Sequence, residues 1–133
     1  MPITPEELTR RIRQATPFLE TLGVEVVSAG DDEAVIRLPM RKELTQDVGF
    51  AHGGVVGALA DLTANMAWRP PSLTVEYKIN FLRGAKGKEL ICRARLLRKG
   101  STVTISQSEV FGVDDDGNEH LAAVCMATLA PYK

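Results

Sequence analysis

The sequence has little of what would set a chain apart from ordinary globular domains. Its two cysteines, Cys92 and Cys125, lie far apart and outside any C-x-x-C spacing, so no disulfide framework or thiol redox motif can be read. Each sits in an apolar, strand-like run where free thiols are commonly buried, and a reduced, cytoplasmic setting is expected. No apolar run is long enough to span a bilayer. The first thirteen residues carry Glu6, Glu7, Arg10, Arg11 and Arg13 without an apolar stretch, which excludes a signal peptide. The net charge is only -1, so no global basic field points to nucleic acid or to an anionic membrane. His52 and His120, the two histidines, have no ligand-type partners at short spacing, and no metal is expected. Asp114-Asp115-Asp116-Gly117-Asn118 puts its acids in a contiguous run between strands. A calcium loop needs them at alternate positions between helices, so this stretch reads as a tight turn.

What is present suits one domain spanning residues 1–133, with 44% apolar and 25% charged residues and neither repeats nor linkers. Residues 1–21 form an N-terminal helical segment. Thr4 can cap it, Pro5 suits its first position, and Pro17 interrupts it. Val24 to Ala29 and Glu33 to Leu38 alternate about Gly30-Asp31-Asp32 as a hairpin. Pro39 to Phe50 is mixed and polar, hence a loop.

From Gly54 to Trp68 small and apolar residues cover every side of a helical wheel, the mark of a buried helix. Arg69-Pro70-Pro71 stops it. The period then switches to two. Leu73, Val75, Tyr77, Ile79 and Phe81 fall on one face of a strand, with further strands from Leu90 to Leu97, Thr102 to Phe111 and Glu119 to Leu129. Short turns between them imply antiparallel neighbours. The expected class is α+β, with a curved antiparallel sheet of about six strands wrapped around one long buried helix.

The chemistry gathers in Gln46-Asp47-Val48-Gly49-Phe50-Ala51-His52-Gly53-Gly54, followed by Asp61. His52-Gly53-Gly54 opens the buried helix, where the first amides lack internal partners and stand at the positive end of the dipole. Two glycines allow close approach to that backbone, and such a terminus can stabilise an oxyanion. Asp61 is the one acid in an apolar helix. A buried carboxylate is costly unless paired or used. Eight residues separate Gly53 from Asp61, about 12 Å at roughly 1.5 Å per residue. One reacting carbon cannot meet both groups in a single chain, so a shared site takes them from different subunits.

The run Gly49-x-x-His52-Gly53-Gly54, with the acid nine residues after the histidine, resembles the PaaI-type branch of the hotdog-fold acyl-CoA thioesterases, within the 4-hydroxybenzoyl-CoA thioesterase superfamily. The stretch Asn80-Phe81-Leu82-Arg83-Gly84-Ala85-Lys86-Gly87 and the turn Arg98-Lys99-Gly100 resemble it as well. The resemblance implies hydrolysis of an acyl- or aryl-CoA thioester. By the same resemblance Asp61 is nucleophile or general base, the Gly53 amide polarises the thioester carbonyl, and Gln46 stands near the attacking water or leaving sulfur. His52 shapes the loop. Asn65 departs from the pattern, since several relatives carry Thr or Ser there to help hold water.

The candidate substrate-binding residues are His52, Gly54 and Asn65, joined by Arg83, Lys86, Arg98, Lys99 and Ser101 for the phosphates of coenzyme A. No cofactor is expected beyond the coenzyme A of the substrate. The expected partner is a second copy, as a homodimer or a tetramer, with no nucleic acid or membrane. Two rivals are a hotdog dehydratase or hydratase, which needs an acid–histidine pair absent from the helix window, and a non-catalytic acyl-CoA sensor, which needs an output domain.

Overall fold

The computed structural model describes residues 2–132. Two short helices open the chain: α1 (Pro5–Ala15) and α2 (Pro17–Leu22). Thr4 Oγ1 accepts the Glu7 amide at 3.1 Å, and Gly23 closes α2 in the left-handed conformation. The hairpin β1 (Glu25–Gly30) and β2 (Glu33–Pro39) follows. The expected loop holds two single 3-10 turns, Lys42–Leu44 and Asp47–Gly49. Then come α3 (Gly53–Met66), β3 (Ser72–Phe81), β4 (Glu89–Arg98), β5 (Thr104–Val113) and β6 (Glu119–Pro131).

All six strands form one antiparallel sheet in the order β1-β2-β4-β5-β6-β3. The sheet curves around α3, as the binary pattern predicts. Val56, Leu59 and Ala60 of the helix are buried against Ile36, Leu38, Leu90, Cys92, Val110 and Cys125 of the strands. On β5 the inward residues are Thr104, Ser106 and Ser108, all buried. These short side chains let α3 lie close, and Ser108 Oγ donates to the Ala60 carbonyl at 2.8 Å. No helix among the described residues is long and apolar enough to cross a membrane.

Two expectations from alternation and turn length need correction. First, β3 and β4 are consecutive but not neighbours: β3 pairs with β6 at the far edge of the sheet. Their connection crosses the ends of the intervening strands. Leu82 donates its amide to the Ala122 carbonyl and Lys88 to that of Val113. Second, the five apolar residues of β3 do not share a face. Thr74 pairs with Leu129 and Glu76 with Thr128, so Val75 is the extra residue of a bulge. Beyond the bulge Tyr77, Ile79 and Phe81 face the helix. Before it the parity is reversed, and Thr74 faces inward while Leu73 turns out.

The two sheet edges differ. Along β1, Thr9 Oγ1 of α1 accepts the Val26 amide at 2.8 Å and Arg13 Nε donates to the Val24 carbonyl at 2.9 Å. That edge is covered by a helix. On β3, Leu73 and Val75 are 63% and 61% exposed, and among the described residues no strand pairs along that edge.

The interior thiols give a test of the packing. Burial pushes Cys92 up to about 12, against the pull of the Thr63 and Ser108 hydroxyls. Burial pushes Cys125 up to about 11, with the Asp61 carboxylate adding to it. At pH 8 neither thiol should react with a disulfide reagent until the chain is denatured, when both react. The folded state keeps protons that the unfolded chain loses from its ordinary value of 9.0 upward. Stability should therefore fall as pH rises through 9 towards 11–12, read by denaturant unfolding. Rapid native labelling at pH 8 would show that the core is open.

Candidate active site

The N-terminus of α3 is held by its own cap. His52 is the cap residue, and its Nδ1 accepts the Gly54 amide at 2.8 Å. The His52 carbonyl accepts the amides of Val55 and Val56. Among the described residues no acceptor takes the Gly53 N–H. One amide is thus left free at the positive end of a buried helix. His52 is committed to the cap through the nitrogen that would otherwise act as a base, in keeping with a loop-shaping role.

The loop before the helix folds back on itself. Val48 and Gly49 adopt left-handed conformations, at φ +55° and +80°, which bring the Gln46 amide to the Phe50 carbonyl at 2.8 Å. A β-branched residue in that region is strained, and such strain gathers at functional loops. The Phe50 ring lies over Gly84, where a Cβ would come within 2.6 Å of it; only glycine leaves room. Gln46 and Gly53 then line one cavity of about 380 Å³ with Phe81, Arg83 and Gly84. A second cavity of about 340 Å³ shares Arg83 and Gly84 and adds Lys86, Asp114 and His120. Asp61 lines neither.

Asp61 sits two turns further along α3 at the centre of a polar cluster. Thr74 Oγ1 donates to its Oδ1 at 2.5 Å, and Asn65 Nδ2 reaches the same oxygen at 3.3 Å. Asn65 Nδ2 also donates to Thr74 Oγ1 at 2.9 Å and to the Asp61 carbonyl at 2.8 Å. Ser72 Oγ closes the cluster on Asn65 Oδ1 at 2.8 Å. Among the described residues Asp61 Oδ2 has no partner. A carboxylate with one oxygen held by two donors and the other free is oriented to attack or to take a proton.

Sequence reasoning missed Thr74 and Ser72, because strict alternation turns both away from the helix. The bulge at Val75 reverses that. A glutamate two residues past a threonine, with no apolar residue between them but Val75, carries no readable signal for it.

The candidate basic residues do not converge in one chain. Arg83 and Lys86 stand by the two cavities, with Lys86 Nζ 5.7 Å from the Phe50 ring centre. Arg98, Lys99 and Ser101 lie at the other end of the ten-residue strand β4, roughly 30 Å away at strand rise. Lys99 there pairs with Asp32 at 2.9 Å. The Asp114 stretch is a turn, as expected: Asp114 Oδ1 accepts the amides of Asp116 and Asn118. His120 and those amides hold the Asp114 carboxyl below its usual value.

The cluster predicts the cost of breaking it. Thr74→Val keeps shape and removes the donor to Asp61; a hydrogen bond to a charged group is worth about 1.5–3 kcal/mol. Hydrolytic turnover should fall roughly ten- to a hundredfold with the fold intact. Deleting Val75 should leave turnover largely intact, because Thr74 still pairs with Leu129 and faces inward in a strand that then alternates regularly. Circular dichroism and steady-state kinetics check both, and a well-folded deletion without activity would show that the bulge does more than set the side of Thr74.

The comparisons with known proteins identify the family. The thioesterase superfamily model matches residues 48–117, just over half the chain, a span that holds His52, Gly53, Asp61 and Thr74. A protein of Saccharolobus solfataricus named as an esterase is 34% identical over 116 residues, 82% of this chain and 79% of its own. Human acyl-coenzyme A thioesterase 13 is 25% identical over 111 residues, 78% of this chain and 79% of its own. The crystal structure of a thioesterase family protein from Silicibacter pomeroyi superposes with a TM-score of 0.85 at 30% identity, covering 92% of this chain and 93% of that one. The family model over more than half the chain and these relatives place it: the chain belongs to the thioesterase superfamily as a thioester hydrolase of the hotdog fold.

Proposed function

We propose that this chain hydrolyses an acyl- or aryl-CoA thioester to the free acid and coenzyme A, in the manner of the PaaI-type branch, at a site built from two copies. The observation that carries the reading is the pair of uncommitted groups on α3, the Gly53 amide and Asp61 Oδ2. The amide of one copy polarises the thioester carbonyl. Asp61 of the second copy supplies the electron pair, either through a water that it deprotonates or directly from Oδ2. In the direct case water then hydrolyses the acyl–Asp61 anhydride to the free acid and restores the carboxylate. The carbon–sulfur bond breaks and the thiolate leaves with the pair. Thiolate is a good leaving group, so one carboxylate and one strong oxyanion donor suffice. Gln46, in the cavity with Gly53, is placed for the water or the leaving sulfur. Arg83 and Lys86 beside it suit the phosphates of coenzyme A. A cytoplasmic setting suits the two free thiols.

Several features support the second copy. The two groups are eight residues apart on one helix, and Asp61 lines neither cavity of its own chain. The β3 edge is open and carries exposed Leu73, Val75, Tyr77 and Phe81. Antiparallel pairing that sets Gly53 against Asp61 centres the two-fold axis on Gly57, midway between them.

Three measurements test the proposal on an acyl-CoA panel read by thiol release. Asp61→Asn should abolish turnover while binding and fold persist; near wild-type hydrolysis would remove Asp61 from the mechanism. Gln46→Ala should lower turnover by a modest factor, since a positioning hydrogen bond is worth about 0.5–1.5 kcal/mol net. Mixing Asp61→Asn with Gly53→Val should restore part of the activity once subunits exchange, because mixed dimers hold one intact site. A Cβ at Gly53 meets the Phe81 ring at 3.7 Å, an ordinary contact, so that variant can fold. Exchange confirmed by mass without recovered activity would refute the shared site, and ligand binding without any turnover would refute the enzyme.

A further inference from the structure

We propose that Ser72 is a positioning residue for this reaction: its hydroxyl fixes the Asn65 amide, and Asn65 in turn holds Asp61 with Oδ2 as the reacting oxygen. The proposal rests on the hydrolytic reading above and adds to it a residue that touches neither substrate nor carboxylate.

An asparagine amide has two N–H donors and one carbonyl. All are committed here. Nδ2 serves the Asp61 carbonyl at 2.8 Å and Thr74 Oγ1 at 2.9 Å, and approaches Asp61 Oδ1 at 3.3 Å. The carbonyl accepts Ser72 Oγ at 2.8 Å. Both N–H groups are spent, so Asn65 has no donor left for a reacting water. Its chemistry is therefore that of a brace. Turning the amide over would set its oxygen against the Asp61 carbonyl and carboxylate, acceptor facing acceptor, so the orientation has one sense.

Ser72 completes that brace from the strand side. It lies on the same face of β3 as Thr74, two residues before it and ahead of the bulge. Together the two hydroxyls tie the first residues of β3 to the last turns of α3, and every donor in the cluster reaches Asp61 from the Oδ1 side. Without the Ser72 hydroxyl, the Asn65 carbonyl is left to water at the open edge of the sheet. The amide then loses its fixed plane, and Asp61 loses one of the two donors that hold Oδ1.

The test is a double-mutant cycle with an activity-free readout. Ser72→Ala should lower kcat about three- to tenfold at unchanged KM, the range set by one net hydrogen bond. Ser72→Thr, which keeps the hydroxyl, should restore it. In an Asn65→Ala background Ser72→Ala should have no further effect, because Ser72 acts through Asn65 alone. The Asn65 side-chain amide resonances should be dispersed and protected from exchange in the wild type, and lose both in Ser72→Ala. A Ser72→Ala enzyme with wild-type kcat overturns the proposal, and so does an equal loss in the Asn65→Ala background. Either result in an active wild type leaves the hydrolytic reading standing. A wild type inert on every thioester takes down that reading and this role together.

Discussion

Helix α3 has no polar face to give to water. Val56, Leu59, Ala60 and Ala64 are buried and its remaining sides are small or apolar, so the helix must be surrounded. The sheet does most of this by curving, and the hydroxyls of β5 let it come close enough. A carboxylate placed in such a helix is only partly open to solvent. Asp61 is tolerable because β3 brings Thr74 to it and because Asn65 stands one turn away. The arrangement of the site follows from that one requirement.

The two ends of the helix are then treated differently. At the start His52 satisfies Gly54, and its carbonyl satisfies two further amides, so a single N–H is left over rather than several. Further along, the donors crowd one oxygen of Asp61 and leave the other. Both groups are thus left by subtraction: neighbours consume the surrounding hydrogen-bonding capacity until, among the described residues, one donor and one acceptor stay available. Preorganisation of this kind asks little rearrangement during reaction.

Much of this was legible in the sequence, and the limits have physical causes. The buried helix, its start at His52-Gly53-Gly54 and the isolated acid could be read because helix periodicity and capping are local. The separation of Gly53 from Asp61 followed from helix rise alone. Three things were not local. The position of β3 at the far edge depends on where the sheet closes round α3. The bulge depends on pairing between Val75's neighbours and β6, and an inserted residue looks like any other in a strand that alternates. The division of the basic residues between the two ends of β4 depends on strand direction. Thr74 and Ser72 were invisible for the second of these reasons.

The bulge also explains why β3 serves two purposes. An edge strand with strict alternation would send its apolar residues either all inward or all outward. With one residue inserted at Val75, Tyr77 and Phe81 lie over Gly57 and Gly53 of the helix, while Leu73 turns to the other face. The same strand thereby roofs the first half of α3 with rings and braces the second half with hydroxyls. The change from one to the other falls between Gly57 and Asp61, the interval that separates the half of the helix with the free Gly53 amide from the half with the acid. A strand without the bulge would place a valine or leucine against Asp61, and the carboxylate would lose the Thr74 hydroxyl, the shorter of the two donors that orient it.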